Sequence, residues 1–241
     1  MTERRPRADD ESDRGATLPT VRRSRDERRY VAVDGPPGSG ASAVAQALAA
    51  ATGAELICDP APGNPFRDEF ARSPERFAFQ TQTYCLLARY RQQVELAQPD
   101  LFSLSGTVSD YVFARDQLFA RVTLRPDELH LYQRIHQLLD QQVPQPDLVV
   151  YVTATREVLR ARVREQVPSA DRVIKLSVLE RLAAEMDEHF LTYDEAPLLI
   201  LDTSAVKAPL GSAGATAQLE QAVEVVRRTR GGATCFRLAA G

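Results

Sequence analysis

The chain has 241 residues, of which 44% are hydrophobic, and a formal net charge of −3 at pH 7. This composition is typical of a globular domain with a sizeable core, and the weakly acidic balance offers no basic surface for nucleic acid or for an anionic membrane. The sequence has no apolar run of about 18 residues or more, and its N-terminus is rich in arginine, so we expect neither a membrane-spanning helix nor a signal peptide.

Residues 1–29 form a separate, highly charged segment. They include nine arginines and seven acidic residues but almost no aromatic or large aliphatic side chains. Such a segment buries too little apolar area to offset the entropy of ordering it, so we predict a disordered tail. Docking to another chain or to an anionic surface is the alternative role for this tail.

From Tyr30 onward, short apolar runs alternate with segments of helical periodicity. The apolar runs predict five strands, at Tyr30–Asp34, Ala54–Cys58, Leu104–Val108, Asp147–Val152 and Leu198–Asp202. The other segments predict helices at Ala41–Thr52, Pro74–Leu96, Asp127–Leu139, Arg156–Gln166, Leu176–Tyr193 and Gln218–Arg230. Strands that alternate with helices form a parallel sheet covered on both faces. We therefore predict a three-layer α/β domain with a five-stranded parallel sheet over residues 30–204, and a C-terminal helix with a flexible tail over residues 205–241.

The three cysteines, Cys58, Cys85 and Cys235, are widely spaced and form no CxxC pair. An odd set of this kind is typical of buried thiols and not of a metal site or a disulfide framework. We therefore expect a protein of the reducing cytoplasm.

The first strand opens onto a glycine-rich loop that leads into the first helix. Residues 35–42 read G-P-P-G-S-G-A-S, and the phosphate-binding P-loop has the form G-x-x-x-x-G-K-[ST] in this same context. Backbone N–H groups of such a loop and of the helix N-terminus bind phosphate oxygens, and the hydroxyl of Ser42 is suited to Mg²⁺. A glycine-rich turn without a nucleotide role is the alternative. The candidate nucleotide-binding residues are Gly35, Gly38, Ser39, Gly40, Ala41 and Ser42.

Ala41 occupies the position of the P-loop lysine. A lysine at this position lies about 3 Å from phosphate charge that grows during phosphoryl transfer, and at an effective dielectric near 20 this interaction amounts to roughly 5 kcal/mol. Half of that energy corresponds to about a hundredfold in rate. The two lysines of the chain, Lys175 and Lys207, are far from the loop in sequence, so an arginine from elsewhere in the fold is the candidate replacement.

Three stretches of the chain resemble the deoxyribonucleoside kinases, especially the bacterial deoxyadenosine and deoxyguanosine kinases. The first is the glycine-rich loop followed by Asp59-Pro60 and Asn64-Pro65-Phe66. The second runs over residues 73–84 and continues to 89–91, and the third runs over residues 107–116, with 146–151 beyond it. The resemblance covers residues 30 to 204. It implies a P-loop nucleoside/nucleotide-kinase-like fold and transfer of the γ-phosphoryl group of ATP, with Mg²⁺, to the 5′-OH of a deoxyribonucleoside.

The resemblance also implies roles for individual residues. Gln82 matches the glutamine that pairs with the base, and Arg89 matches the arginine two helical turns further on that frames the same pocket. Asp59 falls where the family has the glutamate that accepts the 5′-OH proton, Asp110 lies in the acidic segment that serves Mg²⁺ and the phosphates, and Arg162 matches the first arginine of the lid helix. From the residues alone, Gln82 and Arg89 are also suited to a buried hydrogen-bonded pair, the two aspartates to helix caps, and Arg162 to a solvated surface.

The chain departs from the family pattern where phosphate and sugar are bound. The lid arginines after Arg162 fall at Gln166 and Pro168, and Ala71 stands where the family has a tyrosine that contacts the sugar 3′-OH. Asp171 replaces the lid glutamate that shares this contact, and it remains a candidate substrate-binding residue. Phosphoryl transfer depends on positioning and electrostatic stabilisation, so these departures weaken the prediction of catalysis.

Three functions are therefore open at this point. The first is a purine-preferring deoxynucleoside kinase in which an arginine replaces the missing lysine. The second is a pseudokinase, a non-catalytic nucleoside- or nucleotide-binding subunit that pairs with an active relative. The third is a structural adaptor that uses the charged tail. The family's dimeric habit implies a homodimer or a heterodimer with a related kinase, with a deoxynucleoside as the small-molecule partner and without nucleic acid or membrane.

Overall fold

The computed structural model describes residues 29–98, 106–166 and 175–240. The strands of these residues are β1 Tyr30–Asp34, β2 Glu55–Ile57, β3 Thr107–Ser109, β4 Leu148–Thr153, β5 Leu198–Asp202 and β6 Ala233–Arg237. Their helices are α1 Ala41–Thr52, α2 Arg67–Arg72, α3 Pro74–Ala97, α4 Arg115–Thr123, α5 Pro126–Asp140, α6 Arg156–Gln166, α7 Leu176–Leu191 and α8 Thr216–Arg228. The tail predicted for residues 1–29 lies outside the described residues except for Arg29.

The strands form one sheet in the order β2-β3-β1-β4-β5-β6, and every neighbouring pair is parallel. The parallel sheet predicted from the alternating pattern is confirmed. Because all strands run the same way, the carboxyl ends of β1, β2, β3 and β4 meet at one edge of the sheet, which is where open α/β sheets bind ligands.

The predicted number of strands needs a correction, because residues 233–237 form a sixth strand instead of a flexible tail. This strand pairs with β5 in the register Ile200↔Cys235. Arg237 makes an ion pair of 2.7 Å with Asp202 at the end of β5, and Leu238 behind the strand is 1% exposed. A five-residue edge strand whose side chains are mostly exposed has a weak sequence signal, so tertiary contacts decide its conformation.

Two apolar layers cover the sheet, as the three-layer prediction requires. In β1, the side chains of Val31 and Val33 pack on the face covered by α1 and α8, where Leu48 and Val226 belong to the same buried cluster. On the opposite face, a second cluster of buried side chains joins the sheet to α4 and α7. Its members from these elements are Ala32, Leu118, Val122, Val149, Tyr151, Leu182, Met186, Phe190 and Leu198.

The helix boundaries follow local rules. Pro74 and Pro126 occupy the first turns of α3 and α5, where a missing N–H costs nothing. Gly53 ends α1 in a left-handed conformation with φ 66°. The helices α2 and α4 are short and did not emerge from the sequence pattern. Among the helices of the described ranges, none is both long and apolar enough to cross a membrane.

The expectation of three buried thiols is correct only for Cys85. Cys58 and Cys235 are exposed and free. The first lies immediately after β2 and the second on the edge strand β6, and both places leave a side chain open to solvent.

The buried position of Leu238 provides a test of the corrected C-terminal segment. We expect Leu238→Ala to lower the free energy of unfolding by about 2–5 kcal/mol, because it removes a side chain from the core and leaves a cavity. The matched control is Leu191→Ala, since Leu191 is 78% exposed and its truncation should change stability by less than about 0.5 kcal/mol. Urea unfolding of the three proteins measures both values, and equal stabilities would contradict a structural role for residues 233–238.

Candidate functional site

The glycine-rich loop of residues 35–42 joins β1 to α1 at the carboxyl edge of the sheet. A Cβ atom on Gly35 would lie 2.2 Å from the carbonyl oxygen of Val152, so only glycine fits there. Gly38 and Gly40 have φ of 88° and 92°, a conformation that L side chains rarely adopt. Successive residues of this kind turn backbone N–H groups toward a common point, which is the geometry of an anion-binding loop. The loop therefore has the backbone conformation that the P-loop motif predicts.

A small, buried side chain stands at the position of the missing lysine. Ala41 is 5% exposed and belongs to the apolar cluster between α1 and the sheet, and its amide donates to the side chain of Ser39 at 3.3 Å. The side chain of Ser39 is itself buried. This end of the loop is held by small, tightly packed residues and carries no charge of its own.

Arg162 is buried beneath the glycine-rich loop, where the sequence alone also allowed an exposed position. Its side chain is 2% exposed, and its two terminal nitrogens donate to the carbonyl oxygens of Gly38 at 3.1 Å, Thr203 at 2.9 Å and Val206 at 2.7 Å, and to the hydroxyl of Thr203 at 2.9 Å. The alternative of a solvated helix surface is wrong for this buried side chain. The role of Arg162 as a clamp on the transferred phosphoryl group stays a prediction. The guanidinium ties the loop to the segment after β5.

Ser42 and Asp110 come together at the open side of the loop. The hydroxyl of Ser42 lies near enough to the carboxyl group of Asp110 to oppose the rise of its pKa, and the amide of Asp59 donates to the same carboxyl group at 2.5 Å. Burial raises the pKa of Asp110, and the nearby charge of Asp59 raises it further. A hydroxyl and a carboxylate are the oxygen ligands that Mg²⁺ prefers beside nucleotide phosphates, so the donors present fit the implied metal. No cluster of three or more His, Cys, Asp or Glu suited to a metal occurs in residues 29–98, 106–166 and 175–240.

Arg89 joins two carboxylates at the centre of the site. Its Nε and Nη2 donate to Asp59 at 3.1, 2.8 and 2.9 Å, and its Nη1 donates to Asp116. The guanidinium is buried, and Asp116 is fully buried. Burial alone would raise the pKa of Asp59, but Arg89 and, to a smaller extent, Arg115 hold it below the ordinary value. Asp59 is therefore an ionised, oriented carboxylate.

Asp116 is a site residue that the sequence did not assign. One carboxylate oxygen contacts Arg89, while the other is buried without a hydrogen-bond partner among the described residues. Burial raises its pKa to about 6 even though Arg89 opposes the shift. The only sequence signal was its place at the end of the stretch 107–116, which bears the family resemblance.

Gln82 lies two turns of α3 before Arg89, on the same face of the helix, and its side chain is 4% exposed. It makes no hydrogen bond to the part of the chain that the structure describes, so the alternative of a Gln82–Arg89 pair is not found. Asn64 fixes this part of α3, because its Nδ2 donates to the carbonyl oxygen of Thr81 at 3.0 Å and to Cys85 at 3.3 Å. The N-P-F stretch thus holds the helix that carries Gln82 and Arg89.

Asp59 and Asp110 also accept backbone amides, but neither is the N-cap residue of a helix, so the predicted alternative of helix caps is not found. Asp59 accepts the amide of Ala61 at 3.0 Å at the start of a short 3₁₀ turn, Ala61–Gly63, and Asp110 accepts the amide of Asp59. Both carboxylates nevertheless keep contacts with charged or hydroxyl side chains of the site. Asp171, Pro168 and the side chain of Gln166 lie outside the described residues.

Arg115 is the second residue that the sequence did not assign. It is the first residue of α4, and its Nη1 makes an ion pair of 2.9 Å with Asp34 at the end of β1. Its Nη2 lies 3.5 Å from the carbonyl oxygen of Gly35, the first residue of the loop. This residue brings a positive charge to the loop from a distant part of the sequence.

Comparisons with known proteins identify the family of this chain. A family model described as deoxynucleoside kinase matches residues 31–214. The deoxyguanosine kinase of Bacillus subtilis (strain 168) is 27% identical over 167 residues, which are 69% of this chain and 81% of that protein. The deoxycytidine kinase of Homo sapiens is 29% identical over 152 residues, which are 54% of this chain and 58% of that protein.

The fold has a counterpart among solved structures. The deoxyadenosine kinase from M. mycoides with bound dATP superposes with a TM-score of 0.65, covering 83% of this chain and 97% of that chain at 17% identity. The similarity at this identity concerns the fold, which is the P-loop kinase-like α/β fold predicted from the sequence. Because the family model spans the P-loop, the bridging arginine and α6 in one continuous match, the chain belongs to the deoxynucleoside kinase family.

Proposed function

We propose that this protein is a deoxyribonucleoside kinase that transfers the γ-phosphoryl group of ATP to the 5′-OH of a purine deoxyribonucleoside. The arrangement of Arg89 carries the proposal, because one guanidinium holds both the base-side carboxylate of Asp116 and the carboxylate of Asp59. A nucleoside whose base lies against Gln82 and Asp116 would have its sugar directed toward Asp59. The site thus provides recognition and proton acceptance on one rigid frame.

The preference for a purine rests on hydrogen-bond complementarity. A glutamine amide makes a bidentate pair with N6 and N7 of adenine, and Gln82 has no competing partner among the described residues. The free oxygen of Asp116 is suited to accept a further N–H from the base. Proteins named deoxyguanosine kinase and deoxyadenosine kinase are among the relatives and structural neighbours, which supports this choice.

In the proposed reaction, Asp59 takes the proton of the 5′-OH while the 5′ oxygen forms a bond to the γ-phosphorus and the bond from that phosphorus to the β–γ bridging oxygen breaks. Arg89 keeps Asp59 ionised and oriented for this step. The amides of the loop around Gly38 and Gly40 bind the phosphates of ATP. Ser42 and Asp110 would hold Mg²⁺, which, when bound, offsets negative charge on the phosphates.

A second function, a non-catalytic nucleoside-binding subunit, is favoured by one observation. The glycine-rich loop lacks the lysine at Ala41, and both terminal nitrogens of Arg162 donate to protein acceptors. Such a subunit would bind a deoxynucleoside through Gln82 and Asp116 and act in a heterodimer with a related kinase. For the catalytic function we propose a homodimer. The two exposed free thiols, Cys58 and Cys235, are compatible with the reducing cytoplasm that we propose for either function.

Phosphoryl transfer from labelled ATP to the four deoxynucleosides separates these functions. We expect the purified chain with Mg²⁺ to phosphorylate deoxyadenosine or deoxyguanosine with a higher kcat/KM than deoxycytidine or thymidine. Gln82→Leu should lower kcat/KM for the purine by about ten- to a hundredfold, because a bidentate base pair contributes about 1–3 kcal/mol. The control Gln80→Leu, at an exposed position of the same helix, should leave it unchanged. Nucleoside binding without any product would refute the kinase and support the binding subunit.

The missing charge at position 41 leads to a second prediction. We expect Ala41→Lys to strengthen the binding of ATP by about tenfold or more, because it adds a charge next to the phosphate groups. Ala41→Met provides a side chain of similar length without the charge, and it should not strengthen binding. Isothermal titration of the three proteins with ATP and Mg²⁺ measures the effect. Equal affinities of the lysine variant and the native chain would show that the loop does not handle phosphates.

The raised pKa of Asp116 predicts how nucleoside binding depends on pH. Asp116 gains a proton as the pH falls through about 6, and a neutral carboxyl group is a weaker acceptor than a carboxylate and a weaker partner for Arg89. We expect the affinity for deoxyadenosine to fall by about tenfold between pH 7.5 and pH 5, since charged hydrogen bonds exceed neutral ones by about 1 kcal/mol or more. Asp116→Asn should bind more weakly at pH 7.5 and lose this dependence. A flat pH profile of the native chain would remove Asp116 from the base site.

A further inference from the structure

Two guanidinium groups contact the phosphate loop within the described part of the chain, and they differ in the donors they have left. Arg162 uses both terminal nitrogens on carbonyl and hydroxyl oxygens at 2.7 to 3.1 Å. Arg115 uses Nη1 on Asp34, while Nη2 has only a long contact of 3.5 Å to Gly35 and Nε is buried without a partner. A guanidinium has five N–H donors. The Nε of Arg162 is likewise buried without a partner, so the two residues differ at Nη2, which is fully used in Arg162 and has only the long contact in Arg115.

The position of Arg115 is as important as its free donors. Arg115 contacts Gly35, which is the first residue of the loop. Ser42 is the last residue of the loop, and an anion bound by the loop lies between these two residues. Arg115 is also near enough to Asp59 and Asp110 to favour their charged forms. Its charge therefore lies among the proposed proton acceptor, the proposed metal ligand and the loop.

The carboxylates around Arg115 explain why a cation is needed there. Within the described residues, four carboxylates surround the loop and the base site, and the guanidinium groups of Arg89 and Arg115 oppose them. Arg89 is committed to Asp59 and Asp116. A polyphosphate that enters this field gains attraction from Arg115, from the loop amides and from a metal ion.

We propose that Arg115 takes the place of the missing P-loop lysine, by donating from Nη2 and Nε to phosphate oxygens of ATP while Nη1 stays anchored on Asp34. The proposal rests on the kinase function above. Arginine is suited to this role because its planar fork binds phosphate oxygens through two parallel hydrogen bonds. The anchor on a buried carboxylate holds the side chain in place before the nucleotide arrives.

The alternative is that Arg115 only neutralises the buried Asp34. A double-variant experiment distinguishes the two, because a lysine at position 41 restores a charge at the phosphates without restoring a partner for Asp34. The variants are Arg115→Gln, Arg115→Lys, Ala41→Lys and the combination of Ala41→Lys with Arg115→Gln. The control is Arg121→Gln on the same helix, where the arginine is half-exposed and lies 3.8 Å from Glu185.

We expect Arg115→Gln to lower kcat by about a hundredfold and to raise the KM for ATP, with the KM for the deoxynucleoside within about twofold of the native value. Adding Ala41→Lys should recover tenfold or more of the lost kcat. Arg115→Lys should keep part of the activity, and Arg121→Gln should stay within about twofold. Full activity of Arg115→Gln, or a loss that Ala41→Lys does not recover, would overturn the proposal and leave the kinase function intact.

Folding and activity are separated by two further measurements. Thermal melting identifies a variant that fails to fold. If Arg115→Gln does not fold, the double variant Asp34→Asn with Arg115→Gln, which removes both buried charges, is assayed instead. If the native chain shows no transfer at all, the kinase function fails, and Arg115 is judged by the Kd for ATP with Mg²⁺. A tenfold weaker Kd in Arg115→Gln that Ala41→Lys restores would then support the phosphate role, and an unchanged Kd would overturn it.

Discussion

The carboxylate of Asp34 holds the phosphate loop, the central strand and the start of α4 in one arrangement. It is fully buried at the end of β1. One of its oxygens accepts a hydrogen bond from the amide of Gly35 at 2.6 Å and makes an ion pair with Arg115 at 2.9 Å. The other oxygen accepts the amide of Val112 at 3.0 Å. Breaking a buried pair of this kind typically costs about 3–5 kcal/mol. The positions of the loop and of the residues that follow β3 therefore depend on this one group.

The loop keeps its shape without the lysine because protein atoms, and not phosphates, impose its conformation. Gly38 has no room for a Cβ atom, which would lie 2.8 Å from the carbonyl oxygen of Leu159, and its own carbonyl accepts a hydrogen bond from Arg162. These contacts come from α6 and from the packing beneath the loop. Loss of the charge at position 41 and retention of the backbone geometry are thus physically independent.

The two halves of the site differ in how completely they are built. At the proposed base side, Arg89 connects Asp59 and Asp116 with four hydrogen bonds, and the amide of Gln82 has no hydrogen-bond partner among the described residues. The proposed phosphate side consists of the loop amides, Ser42, Asp110 and Arg115, and the guanidinium of Arg115 still has hydrogen-bond donors to offer. In the proposed function, such a site would bind the nucleoside through preformed polar groups and would depend on added charge, from a metal or from Arg115, to accept a triphosphate.

The sequence by itself determined the parallel α/β fold, the glycine-rich loop and the identity of the residues at positions 41, 59, 82 and 89. Local periodicity and turn chemistry are short-range properties, so the sequence predicts them without a structure. Only the tertiary structure decided that Arg89 pairs with Asp59 and Asp116, that Arg162 lies beneath the loop, that Arg115 reaches Gly35, and that residues 233–237 form a strand. The partners in these contacts are separated by 27 to 124 residues in the chain or lie on the far edge of the sheet. A side chain's partner at such a separation depends on how the helices pack, and no local pattern in the sequence records that packing.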